Sequence, residues 1–114
     1  GASFLPPKEC DRRHEIGVDR ILWGTDYPHV EGSYPYSREQ LRLCFAGVPS
    51  DEIQRMVALN TARVYGFDLA QLARLAASLG PTKREIAQPL APADLPGAAQ
   101  KCPAFAPYNQ RMLA

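Results

Sequence analysis

Asp26 is the residue of this sequence best placed to do chemistry. It lies in the segment Thr25-Asp26-Tyr27-Pro28-His29-Val30-Glu31-Gly32. Just before it, residues 18–24 (VDRILWG) carry Ile21, Leu22 and Trp23 in a row with no polar alternation. A continuous apolar run of this kind predicts a strand covered on both faces, as in a parallel sheet. Asp26 then falls just past the strand's C-terminal end, the edge at which parallel α/β barrels gather their catalytic groups. A carboxylate there can ligate a metal or take a proton from metal-bound water. His29, three residues on, can reach the same mouth. The commoner reading on spacing alone is structural: an Asp before a Pro turn bonds its own nearby backbone, and a loop His bonds backbone or water. Both readings stand at this point. Trp23 and Tyr27 read as packing residues, and Glu31 as a solvated loop carboxylate.

The remaining chemistry-bearing side chains do not group. Cys10, Cys44 and Cys102 lie too far apart for a zinc knuckle and read as small buried apolar residues. Asp11, Arg12, Arg13, His14 and Glu15 form a mixed charge run, the pattern of a solvated helix face. His14 has no second His or Cys at ligand spacing. There is no phosphate-binding Gly loop, nucleophile elbow or H-E-x-x-H.

The elements around Asp26 read as helices. Pro6 and Pro7 suit a helix start, and residues 8–16 predict a polar helix stopped by Gly17. Ser37 with Gln40 predicts a capping box opening a helix whose apolar face is Leu41, Cys44, Phe45 and Val48. Ser50 reads as the cap of the next helix, with Asp51 and Glu52 in its first turn and Ile53, Met56 and Val57 as its apolar face. Asn60 is expected to interrupt it, with further turns over 61–65 before Gly66. Asp68 caps a helix to Leu79 with a stripe of Leu69, Leu72, Leu75, Ala76 and Leu79, ended by Gly80-Pro81. After that, Pro81, Pro89, Pro92, Pro96, Pro103 and Pro107 preclude long regular elements, and Phe105, Tyr108, Met112 and Leu113 suggest a tail that packs on something.

Composition narrows the function classes. The chain has 114 residues, 13 Lys plus Arg against 12 Asp plus Glu, and three Cys. So even a balance gives no field for nucleic acid or an acidic membrane. Apolar runs are far too short to span a bilayer, and no signal peptide is visible. An odd, irregular cysteine set fits a reducing compartment, so a cytoplasmic location is expected. The chain begins at Gly1 rather than Met. One strong strand stands among four or five helices with at most the short N-terminal segment as a neighbour, a thin sheet, and unpaired buried backbone is costly. The pattern therefore reads as the last strand and closing helices of a larger α/β fold.

Residues 18–32 (VDRILWGTDYPHVEG) together with Asn60-Thr61-Ala62-Arg63-Val64-Tyr65-Gly66 resemble the end of the amidohydrolase-related metal-dependent hydrolases, the branch that includes aminocarboxymuconate-semialdehyde-type decarboxylases. The resemblance covers roughly residues 1–80. It implies the C-terminal fragment of a TIM (β/α)8 barrel, mostly helical as an isolated chain, followed by a Pro-rich tail over 81–114. It implies that Asp26 is the catalytic Asp and a metal ligand after strand eight, and that His29 contacts substrate. It further implies a divalent metal, zinc or manganese, in the full-length parent. The family's other His ligands have no counterpart here, since His14 and His29 match neither the H-x-H pair nor the middle-strand His. This chain alone is thus expected to be inactive and to hold no metal tightly. Its expected partners are the rest of the barrel, as an upstream segment or a separate chain, and a small organic substrate that is hydrolysed or decarboxylated. A homo-oligomer is compatible with this. The alternative is a small non-enzymatic helical interaction module, dimeric through its capped helices.

Overall fold

The computed structural model describes residues 5–105. These residues are mostly helical, and among them no strand forms a ladder. Helix α1 (Pro7–Asp11) starts on Pro7 and α2 (Arg13–Ile16) follows after a break at Arg12 (φ −89°, ψ 9°). The single helix expected over 8–16 is thus two short ones, ended at Gly17 with φ 97° as expected. Helix α3 (Ser37–Phe45), α4 (Ser50–Gln54), α5 (Asn60–Tyr65), α6 (Leu69–Leu79) and α7 (Lys83–Ile86) complete the set.

The strand expected over 18–24 does not form. Val18–Arg20 is a 3-10 turn, Ile21 is extended (φ −90°, ψ 125°), and Trp23 donates its amide to the Met56 carbonyl at 3.0 Å. The apolar run is still covered, but by helices. Val18 and Ile21 join Leu5, Cys10, Leu41, Cys44, Phe45, Ile53, Met56 and Ile86 in one core, with Trp23 packed against it.

The main scaffold is a continuous rod from Ser50 to Tyr65. Its middle, Arg55–Leu59, is a π-helical turn, so Asn60 lies within the rod and does not interrupt it. Ile53 and Met56 are fully buried and Val57 partly so, the face expected from their spacing. Gly66 ends the rod in the left-handed conformation (φ 69°) that glycine adopts without strain.

Two expected caps are replaced. Pro49, not Ser50, holds the N-cap position of α4, and no side chain caps it. Tyr36 precedes α3, where Ser37 shares a hydrogen bond with the Ser33 hydroxyl at 2.9 Å. Gln40 is fully buried and turns inward, away from capping. The Asp68 cap forms, accepting from the Ala70 and Gln71 amides. A capping box that periodicity did not reveal joins Thr82 and Glu85 at α7.

The leucine stripe of α6 forms as a helix face but is not buried. Leu69, Leu72, Leu75 and Leu79 are 42–73% exposed, and no α6 residue is buried. The Pro-rich segment beyond residue 89 is a run of 3-10 turns (Pro92–Asp94, Gly97–Lys101, Pro103–Phe105). Leu95, Ala99, Ala104 and Phe105 make a second small core there, packed on Tyr36 and Leu43. Phe105 therefore packs as expected, while Tyr108, Met112 and Leu113 lie outside the described residues.

Candidate functional site

The site begins with how residues 18–23 are held. Asn60, 2% exposed, donates through Nδ2 to the Val18 and Ile21 carbonyls, both at 2.8 Å. Buried backbone acceptors must find donors, and here a side chain supplies what a neighbouring strand would supply in a sheet. Arg63 donates to the Asp19 carbonyl at 2.8 Å, and Arg55 pairs with the Asp19 carboxylate at 3.3 Å. On the other side, the Trp23 indole N–H donates to Gln40 Oε1 at 3.2 Å, and Gln40 Nε2 approaches Cys44 Sγ at 3.0 Å. Residues 18–23 are thus fixed by the rod through their backbone and by α3 through Trp23. The sequence signal for Asn60 and Arg63 lay in the N-x-A-R spacing. Nothing in periodicity marked Gln40.

From this platform residues 25–33 form a closed loop. The Ser33 amide returns to the Thr25 carbonyl at 2.9 Å. Inside it, His29 N–H donates to the Asp26 carbonyl at 2.8 Å and Gly32 N–H to the His29 carbonyl at 2.9 Å. Asp26 has φ 58°, a left-handed conformation that Asp tolerates better than most residues. The Tyr27–Pro28 and Tyr34–Pro35 bonds are cis. Gly32 is required by space: a Cβ there would lie 2.8 Å from the Thr25 carbonyl oxygen, 2.9 Å from that of His29 and 3.1 Å from that of Asp26.

The loop brings Asp26 and His29 together. His29 Nδ1 lies 3.4 Å from Asp26 Oδ2 and 3.9 Å from Glu31 Oε2. The side chains of all three are 42–58% exposed, so they face solvent rather than a sealed pocket. Glu31 is exposed as expected but approaches His29. Tyr27, expected to pack, is instead 65% exposed and meets Tyr34 edge-on, with ring centroids 5.0 Å apart. An imidazole beside two carboxylates gathers three polar groups at the loop surface. This cluster does not fit a metal on its own. Among the described residues no group of three or more His, Cys, Asp or Glu side chains can hold a metal ion, and catalytic metals ordinarily take three protein ligands.

The other ionisable groups sit elsewhere. Arg13 pairs with the nearly buried Glu52, which His14 also approaches at 3.4 Å, so the charge run expected to be solvated is partly an internal tie to α4. Cys10 and Cys44 are buried as expected, and burial pushes the Cys10 thiol upward. A cleft of about 380 Å³ between α3 and α7 lies away from Asp26. Its arginines, Arg38 and Arg42, already donate to the carbonyls of Leu79, Gln88 and Pro89.

The architecture is that of a helical element presenting one carboxylate-bearing loop from a pinned apolar segment. The chain belongs to the amidohydrolase family, whose model, described as Amidohydrolase, matches residues 3–67. The match takes in both the Asp26 loop and the rod with Asn60 and Arg63, and it ends before α6. No curated protein and no solved structure matches the chain. The family is generally metal-dependent and is of the TIM-barrel class. No helix among the described residues is long and apolar enough to cross a membrane.

Proposed function

We propose that this chain is the C-terminal portion of a cytoplasmic, metal-dependent hydrolase or decarboxylase of the amidohydrolase family. It supplies the C-terminal portion of a (β/α)8 barrel through residues 1–80, and residues 81–114 form its tail. Asp26 is the catalytic carboxylate and one metal donor, and His29 contacts a small organic substrate. The observation that carries this reading is the mutual anchoring of the two matched segments, Asn60 to Val18 and Ile21, which leaves the Asp26 loop as the open end of the unit.

Two further features support it. Asp26 Oδ2 and His29 Nδ1 stand 3.4 Å apart with both side chains open to solvent, so a metal donor and a substrate contact fall at one face of the loop. Exposed Val64, Tyr65, Phe67 and the α6 leucines form apolar surface that further protein, the rest of the barrel or a second copy, would cover.

The test is the size of the native polypeptide in its source cells, by immunoblot against the peptide 100–114. A band of roughly 250 residues or more, the size of a whole barrel, is the expected result. Asp26→Ala in that polypeptide should then lower turnover by about a thousandfold, as loss of a group acting on the reacting atoms does. A band at 12.6 kDa with no separate chain supplying the barrel would overturn the reading in favour of a helical interaction module.

A further inference from the structure

We propose that the Pro-rich segment 90–105 is a brace for the Asp26 loop, with Cys102 as the positioning residue that holds the loop's return arm at Gly32. This segment lies beyond the matched region, so membership of the family says nothing about it.

The geometry is specific. Cys102 Sγ donates to the Gly32 carbonyl at 3.1 Å, across 70 residues of sequence. Gly32 is wedged against the carbonyls of Thr25, Asp26 and His29, so a contact that fixes Gly32 fixes the loop those carbonyls belong to. The thiol's own direction is set within the tail. Cys102 N–H donates to the Ala99 carbonyl and its carbonyl accepts from Phe105 N–H, both at 3.0 Å, so it sits at the joint of two 3-10 turns. A second contact acts on the same arm. Tyr36, whose amide donates to the Ser33 carbonyl at 2.8 Å, meets the fully buried Phe105 edge-on at 6.3 Å between ring centroids. The return arm 32–36 is therefore held by the thiol at one end and by an aromatic contact at the other, and both partners come from the tail. The consequence is that the position of Asp26 and His29 depends on residues about 70 positions away that touch neither.

This rests on the reading of the Asp26 loop as the site only for its consequence; the bracing itself is measured without metal or substrate. Amide hydrogen exchange on the full chain compares the wild type with Cys102→Ala and Cys102→Ser. Cys102→Ala should speed exchange at His29, Gly32 and Ser33 by about fivefold, the equivalent of one neutral hydrogen bond. Ile53, in the rod, should be unaffected. Cys102→Ser keeps a donor at the position and should return the loop amides to within about twofold of wild type. A second measurement serves if Cys102→Ala does not fold. Gly32→Ala, which forces the loop carbonyls apart, should raise alkylation of Cys102 by iodoacetamide by about threefold, read by peptide mapping, since a thiol no longer engaged is more accessible. Cys10 and Cys44 should stay protected. Unchanged loop exchange in Cys102→Ala, equal acceleration at Ile53, failure of Cys102→Ser to restore, or unchanged Cys102 alkylation in Gly32→Ala would each overturn the brace. None of these outcomes bears on whether Asp26 serves a metal, which the native polypeptide decides.

Discussion

Asn60 and Asp26 are both polar residues within the family match, and the structure treats them in opposite ways. Asn60 is buried, and its amide group is engaged by two carbonyls at hydrogen-bond distance. Asp26 is nearly half exposed, and among the described residues its carboxylate has only the 3.4 Å approach of His29. A polar group buried with its bonds made is a structural element, because any change leaves its partners unsatisfied in a medium without water. A polar group left open at the end of a pinned segment retains the capacity to bind something else. The difference separates the residue that builds the platform from the residue the platform presents.

The sharpest way to break that comparison is Asn60→Ala. It strands the Val18 and Ile21 carbonyls and should cost about 2–4 kcal/mol, read as a lower urea midpoint at unchanged slope. A loss under about 0.5 kcal/mol would mean that water or another donor serves those carbonyls, and the contrast would fail. Gln40→Leu comes next. It removes the partner of the indole N–H and should cost about 1 kcal/mol, with a shift in the emission of Trp23, the chain's only tryptophan.

The capping box at α7 offers an exposed point of reference. The Thr82 amide and hydroxyl hold the Glu85 carboxyl below its ordinary value. A carboxylate lowered in the folded state contributes stability above its unfolded value, about pH 4.5, and loses that contribution as pH falls through the folded value. Glu85→Gln keeps an acceptor and removes the titration. Its melting temperature should therefore trail that of the wild type above about pH 4.5 and converge with it in more acid solution. A constant gap across that range would place the effect elsewhere.

Leu75→Ala sharpens the contrast from the apolar side. Leu75 lies on the exposed stripe of α6, so the substitution should change the stability of this chain by less than about 0.5 kcal/mol. A cost of 2 kcal/mol or more would show the stripe covered in solution. The smallest effect is expected from Asp26→Asn, also under about 0.5 kcal/mol, because Asn accepts the left-handed backbone and no buried partner is lost. If Asp26→Asn proved as damaging as Asn60→Ala, Asp26 would be a structural residue.

Much of this is legible in the sequence. Leu41, Cys44, Phe45, Ile53 and Met56 are buried where helical spacing puts them, Gly17 and Gly66 end their helices, and Asp68 caps α6. Local signals of this kind follow from the period of the helix and from the few residues that satisfy its ends. The misread caps share one cause. Ser37, Gln40 and Ser50 carry capping side chains, but which polar group a side chain bonds depends on what is packed beside it, and Gln40 found Trp23 instead of a helix end.

The same reasoning marks the division between chain and fold. The sequence by itself determined α3, α4 and α6 with their apolar faces, the need to cover Ile21–Trp23, and the Asp26 and Asn60 motifs. Those depend on residue types at fixed short spacings. Only the tertiary structure decided that helices and Asn60, rather than neighbouring strands, cover and bond residues 18–23, and that the α6 stripe stands exposed. It alone brought Cys102 to Gly32 and His29 to Asp26 with these distances. Such pairings join positions far apart in the chain or fix the conformation of a loop, and no local periodicity encodes which distant partner a backbone carbonyl or an apolar face will meet.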